Sequence, residues 1–299
     1  MPNESDKQGE PKEEMPKSGK APQGPPKPDR VISNDPTLMA AAAAGMPGST
    51  SLTGQGEAPG EAVQLPSEGR LYPDNNPAKG GLIHVRAMTT REEEILVTER
   101  LQKQGIAIDM ILSNCIVTPG INTLDLLSGD RTHILYYLRA ISYGPKYKFT
   151  ARLSDGHVQE VEANVAELKT RRLPEDFIEP FPFQANGVTY ELRLARGHDE
   201  QAIIRARLQE HQKKGAHATE VGGTENLKRL VVSVNGDDDP KVIDKAVSNM
   251  HVRVAHNIRE KLIELSPGPI LLKSVVHSVT GSYEEVLVSI SETFFRPTD

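Results

Sequence analysis

Pro11, Pro16, Pro22, Pro25, Pro26 and Pro28 are scattered among lysines and glutamates, and they deny the start of this chain any regular backbone pairing. The segment has too little apolar surface to offset the entropic cost of ordering. The only helix-prone piece is the Ala40–Ala44 run behind Asp35–Pro36, and an isolated helix that short is marginal in water. Residues 1–62 therefore read as a disordered arm, and whatever folds must be built from Val63 onward.

The remaining composition narrows the classes. The 299 residues are 37% hydrophobic and 25% charged, which suits one or two domains diluted by an unpacked segment. No apolar run is long enough to span a bilayer, and the MPNESDKQGEPKEE start has no apolar signal region, so neither membrane insertion nor secretion is expected. Cys115 is the single cysteine; it allows no intramolecular disulfide and fits a reducing compartment. With a net charge of −6, 4% aromatics and no tryptophan, the chain lacks the usual attraction to phosphate backbones and the platforms for stacking bases. Nucleic acid is not an expected partner.

Hydrophobic period and turn residues place the elements. Gly81–Arg86 reads as a strand, and Thr90-x-x-Glu93 as a capping box opening a helix with Ile95, Leu96 and Leu101. Ile108, Ile111, Leu112 and Cys115 share one helical face, which makes Cys115 a core residue and not a nucleophile. A third helix, capped by Ser128, holds Ile134, Leu135, Leu138 and Ile141 and stops at Gly144–Pro145. Tyr147–Leu153 and Glu160–Val165 form a hairpin about Asp155–Gly156. Beyond the Pro174–Pro182 bridge, a second hairpin turns at Asn186–Gly187, with Val188, Tyr190, Leu192 and Leu194 alternating. A polar helix over 199–214 and a loop over 215–223 follow, and Leu227–Val234 has helical spacing. Asp239–Pro240 starts another helix, and the one over 253–265 ends before Pro267. Strands Ile270–Val279 and Glu285–Ile290 turn near Gly281. The order helix, breaker, hairpin thus occurs twice, as a duplicated unit would show it.

Catalytic constellations are missing. There is no phosphate loop, no G-x-S-x-G elbow and no H-E-x-x-H. Asn235-x-Asp237-x-Asp239 opens like a calcium loop, but Pro240 stands where glycine must turn and Ala246 where a bidentate glutamate must bind. The carboxylate pairs Glu92–Glu94 and Glu284–Glu285 read as solvated faces. No catalytic, cofactor-binding or metal-binding residue is expected, and the chain is not expected to be an enzyme; catalytic groups that meet only in space are the exception a sequence cannot show.

Three segments resemble a known family. Leu65–Pro73, LPSEGRLYP, Ile83–Glu94, IHVRAMTTREEE, and above all Ser128–Phe149, SGDRTHILYYLRAISYGPKYKF, resemble the baseplate hub proteins of T-even-like phages. The third carries the specific pattern D-R-x-x-x-L-x-x-x-R-x-x-S-Y-G, and the Pro267–Gly268 stop and closing Phe294–Pro297 add to it. The resemblance implies a structural or assembly role at the centre of a contractile tail baseplate, in the virion, assembled in host cytoplasm. Its implied partners are other tail proteins. It also implies cysteine pairs of the zinc-ribbon type in two hairpins. Here those places read ARLSDGHVQEV (Ala151–Val161) and VVHSVTGSYEEV (Val275–Val286), with His157 and His277 but no cysteine. Strand pairing and packing must then hold the hairpins, with no metal and no other cofactor.

The fold expected is α+β: the arm 1–62, a helix-plus-hairpin unit over 63–175 and another over 176–299, their hairpins like degenerate zinc ribbons. Leu65, Leu71 and Tyr72 are candidate partner anchors, as are Phe181 and Phe183, unless they fill the chain's own core. Arg139 and Tyr143, beside an apolar stripe, are further candidates; Arg139 either pairs with a carboxylate such as Asp130 or is solvated. Three functions stay open: a hub component or hub assembly factor, a nucleic-acid-binding adaptor with relic zinc ribbons, and an undetected hydrolase.

Overall fold

A computed structural model describes residues 60–214, 222–290 and 294–295. The expected arm up to residue 59, the expected loop over 215–221 and Arg296–Pro297 lie outside the described residues. The fold is mixed α and β, with small antiparallel sheets.

Pairing begins slightly before Val63. Strand β1 (Glu61–Gln64) runs antiparallel to β2 (Leu82–Val85), with Val63 opposite Ile83 and both side chains buried. Three helices follow: α1 (Thr90–Val97), α2 (Glu99–Gln104) and α3 (Ala107–Cys115). The cap of α1 lies one residue earlier than expected. The Thr89 amide and hydroxyl both donate to Glu92, because Glu92 is drawn inward by Arg86 while Glu93 is left facing Tyr143. The buried face of α3 carries Ile111, Leu112 and Cys115, as its spacing requires.

Helix α4 (Ser128–Tyr143) is the longest helix with a mostly buried face, formed by Ile134, Leu135, Tyr136, Leu138 and three charged residues, Asp130, Arg131 and Arg139. Ser128 does not cap it. The helix starts from Leu127, the Ser128 amide donates to the Ala195 carbonyl, and its hydroxyl has no partner among the described residues. The backbone of Pro267–Gly268 presses against this first turn: a Cβ on Gly129 would stand 1.5 Å from the Pro267 carbonyl oxygen. Only glycine permits that approach.

After Gly144, β3 (Lys146–Arg152) and β4 (Val158–Asn164) form the expected hairpin. Strand β5 (Thr170–Arg171) pairs with β9 (Gly268–Pro269), tying the bridge to the segment against α4. Strands β6 (Phe181–Ala185), β7 (Val188–Leu192) and β8 (Val231–Val234) make a three-stranded sheet, with α5 (Gly197–Lys214) and α6 (Gly223–Leu230) between β7 and β8. The helix expected over Leu227–Val234 therefore splits. It ends at Leu230, and the β-branched Val231, Val232 and Val234 join the sheet beside β7.

Helix α7 (Pro240–Ser248) starts behind Asp239, whose side chain accepts from the Lys241 amide. Helix α8 (Val252–Leu265) precedes a final hairpin of β10 (Leu272–Val276) and β11 (Tyr283–Leu287), shorter than the expected strands. Buried side chains from Val63 to Phe295 make one apolar cluster.

Gly129→Ala is expected to destabilise the protein by about 3 kcal/mol or more, since two stretches of backbone must separate to admit a methyl group. Urea unfolding checks this; a loss under about 1 kcal/mol would mean that the Pro267–Gly268 segment yields easily.

Candidate functional site

The most deeply placed polar group is the carboxylate of Asp130 in the first turn of α4. It is fully buried and has no cationic partner among the described residues; instead it accepts from the Ser67 amide at 3.0 Å, the Ser67 hydroxyl at 2.5 Å and the Tyr72 hydroxyl at 2.6 Å. The Tyr72 oxygen in turn accepts from the Leu127 amide at 2.9 Å, at the helix entrance. Burial pushes the Asp130 carboxyl above its ordinary range, more than these donors pull it down. The same burial, with Asp130 adjacent, raises the Tyr72 phenol.

This arrangement places the expected anchors. Leu65 and Tyr72 are 1% and 2% exposed, and Leu71 is half-buried against the core. Phe181 is buried and Phe183 half-buried. Arg139, 1% exposed, neither pairs with Asp130 nor meets solvent. It donates to the carbonyls of Gly144 at 2.7 Å and Lys146 at 3.0 Å, and lies over the rings of Tyr143 and Tyr147. Its charge thus satisfies carbonyls where α4 passes into β3. Tyr143 donates to Glu93 at 2.6 Å, joining the end of α4 to α1.

Glu92, expected on a solvated face, is wholly buried. Arg86 grips both its oxygens at 3.1 Å, and Asn114 donates to one of them at 3.3 Å. Burial alone would raise this carboxyl, but Arg86 and the two Thr89 donors outweigh it and hold the group at about 2. The Asn235-x-Asp237-x-Asp239 segment is similarly occupied: Asn235 accepts from the Thr189 amide, Asp237 from the Asp239 amide, and Asp239 caps α7.

A cleft of about 350 Å³ opens beside α3 and α5, walled by Leu96, Ile108 and Ile204. On its polar side Arg131 bridges Asp109 and Glu200, the latter at 3.0 Å, and donates to the Thr123 carbonyl at 2.7 Å.

Two histidines meet at the tips of the β3–β4 and β10–β11 hairpins. The rings of His157 and His277 stack with centroids 4.9 Å apart. His277 accepts from the amides of Val279 and Thr280 on Nδ1, and its Nε2 lies 3.0 Å from Asp155; His157 Nε2 hydrogen-bonds with Ser278 at 2.9 Å. Both nitrogens of His277 are engaged by the protein itself and no thiolate is near, so this set does not fit a four-ligand zinc site. Among the described residues no cluster of three or more histidine, cysteine or acidic side chains could hold a metal ion. Gln159 adds a polar clasp, donating to the Val276 carbonyl and accepting from the Ser278 amide.

Reasoning from the sequence singled out both histidines without foreseeing that they touch. It missed the Ser67–Tyr72–Asp130 cluster, for which the only signal was hydroxyl residues inside an otherwise apolar-anchored turn segment. Among the described residues no helix is long and apolar enough to cross a membrane.

Polar groups turned inward fasten the segments of this mixed α/β fold together. The chain belongs to the family described as T4 bacteriophage base plate protein, whose model matches residues 63–295 and so spans all three resembling segments. It is a phage baseplate protein with other baseplate proteins as its partners. No curated protein and no solved structure matches it.

Two outcomes test this wiring. Tyr72→Phe removes one of the three donors to Asp130 and strands the Leu127 amide, and is expected to cost about 1–3 kcal/mol in chemical denaturation; an unchanged midpoint would contradict it. Glu92 titrates near 4.5 when unfolded and about 2 when folded. Its contribution, on the order of 3 kcal/mol, is complete above the first value and lost as pH falls toward the second. Glu92→Gln should therefore flatten the fall in stability between pH 4.5 and 2. A parallel pH profile would contradict the pairing.

Proposed function

We propose that this protein is a non-enzymatic component of the central hub of the baseplate, assembled in host cytoplasm and acting through protein–protein contacts. The observation that carries this reading is the fate of its chemically capable residues. Asp130, Glu92, Arg131 and Arg139 are each engaged in holding one segment of the chain to another. A reaction needs groups with free valences facing a substrate, whereas a part that is stressed within an assembly needs fixed geometry. The Arg131 bridge beside the apolar cleft fits the same pattern, since its donors go to two carboxylates and a carbonyl.

The hub, in preference to the baseplate periphery, is supported by the resemblance of Leu65–Pro73 and Ser128–Phe149 to hub proteins. The meeting of His157 and His277 at facing tips supports reading the hairpins as zinc ribbons whose clasp has become polar.

Quantitative mass spectrometry of purified virions beside infected-cell lysate tests the assignment. A fixed low copy number per tail is the expected result. Abundance in lysate with absence from virions would make the protein an assembly factor that leaves before completion, and would overturn its place as a built-in subunit.

A further inference from the structure

The two hairpins that meet at the histidines differ on their outer faces. Along β3 the residues Lys146, Lys148, Thr150 and Arg152 are exposed, while Tyr147, Phe149 and Ala151 are buried. Across the strand gap stand Asn164, Glu162, Glu160 and Val158. That is the alternation expected of a ribbon with one face in water.

The β10–β11 ribbon does not follow it. Val275 and Val286 are buried on the inner side, where Glu284 also accepts from the Ser154 amide of the first hairpin. On the outer side the cross-strand pairs are Leu272 with Leu287, Ser274 with Glu285, and Val276 with Tyr283. Leu272, Val276, Tyr283 and Leu287 are 53%, 51%, 80% and 58% exposed. These fractions amount to roughly 450 Å² of exposed surface, in two apolar pairs on either side of Ser274 and Glu285, comparable with the about 300–600 Å² of the largest patches on monomers, which are often functional. A ribbon that packs on its inner side and still sets apolar pairs outward offers a partner a face to cover.

From the register of this face we infer that it pairs with the same face of a second copy. Consider a two-fold axis lying between two stacked ribbons and parallel to their strands. It carries each residue over the position of its cross-strand neighbour. Leu272 then lies over Leu287 of the second copy and Val276 over Tyr283. Each Glu285 lies over a Ser274 hydroxyl, which can donate to it. An axis perpendicular to the strands would instead set Glu285 against Glu285, a like-charge contact that disfavours association. One closed, self-complementary arrangement is therefore selected, with every apolar pair on an apolar pair and both carboxylates given a donor. The area per copy is below the roughly 800 Å² of a standard interface, so the dimer is weak and reversible. This does not rest on the hub assignment and can fail without it.

Sedimentation velocity of the full chain, from low micromolar to several hundred micromolar, should show a reversible monomer–dimer equilibrium. Leu287→Lys and Tyr283→Lys should each weaken it at least tenfold while leaving the melting transition in place, since both side chains are already exposed. Thr150→Lys, on the outer face of the other ribbon, should leave it unchanged. A short bis-maleimide applied to a mixture of Leu272→Cys and Leu287→Cys chains should link unlike chains in preference to like ones; Cys115 is fully buried and does not compete. A chain monomeric throughout would overturn the proposal and leave the face to another protein. Dimers that Leu287→Lys does not weaken, or equal linking of like and unlike chains, would overturn it too.

Discussion

A buried carboxylate without a cation has to be met by donors, and in this protein the donors to Asp130 come from a segment about sixty residues earlier in the chain. Ser67 and Tyr72 lie in a turn-rich stretch with little regular structure of its own, and Asp130 is what fixes that stretch against α4. The three donors offset part of the cost of burying this carboxylate, and the cluster behaves as a unit. From this anchored start α4 reaches the rest of the fold. Arg131 ties it to α3 and α5, Tyr136 to the Val288 carbonyl, Arg139 to the start of β3 and Tyr143 to α1.

The helix is also fixed from outside. Gly129 admits the Pro267–Gly268 backbone, and Gly268–Pro269 pairs with Thr170–Arg171, so the N-terminus of α4 is enclosed by segments from both halves of the chain. The two hairpins beyond it are joined through Tyr147 to the Ser289 carbonyl, through the aromatic cluster of Tyr136, Tyr147 and Phe294, and through the histidine tips. Geometry fixed by hydrogen bonds at this many points suits a part of an assembled baseplate.

Much of the fold was legible because local rules were followed. The hairpin turns at Asp155–Gly156 and Asn186–Gly187, the Asp239–Pro240 helix start and the apolar face of α3 all lie where spacing and turn chemistry put them. Misreadings arose where a distant partner decided. Leu227–Val234 has helical spacing, but β7 offers its edge to the valines. Thr89 caps α1 because Arg86 holds Glu92 inward. Ser128 is displaced from capping by the Ala195 carbonyl. The site was less legible than the fold, because Ser67, Tyr72 and Asp130 meet only in space. The apolar outer ribbon did leave a trace: Val275–Val276 places apolar residues on consecutive positions, and so on both faces of one strand, unlike KYKFTAR in β3.

Native-state hydrogen exchange at the Ser67 and Leu127 amides tests most directly whether the Asp130 cluster holds the fold. Neither amide donates to another backbone group; one ends on the Asp130 carboxylate and the other on the Tyr72 hydroxyl. If the cluster is the central fastening, both amides exchange only through global unfolding, with the same free energy as the core of α4. Exchange at either amide through local opening, well below the global free energy, would contradict the account.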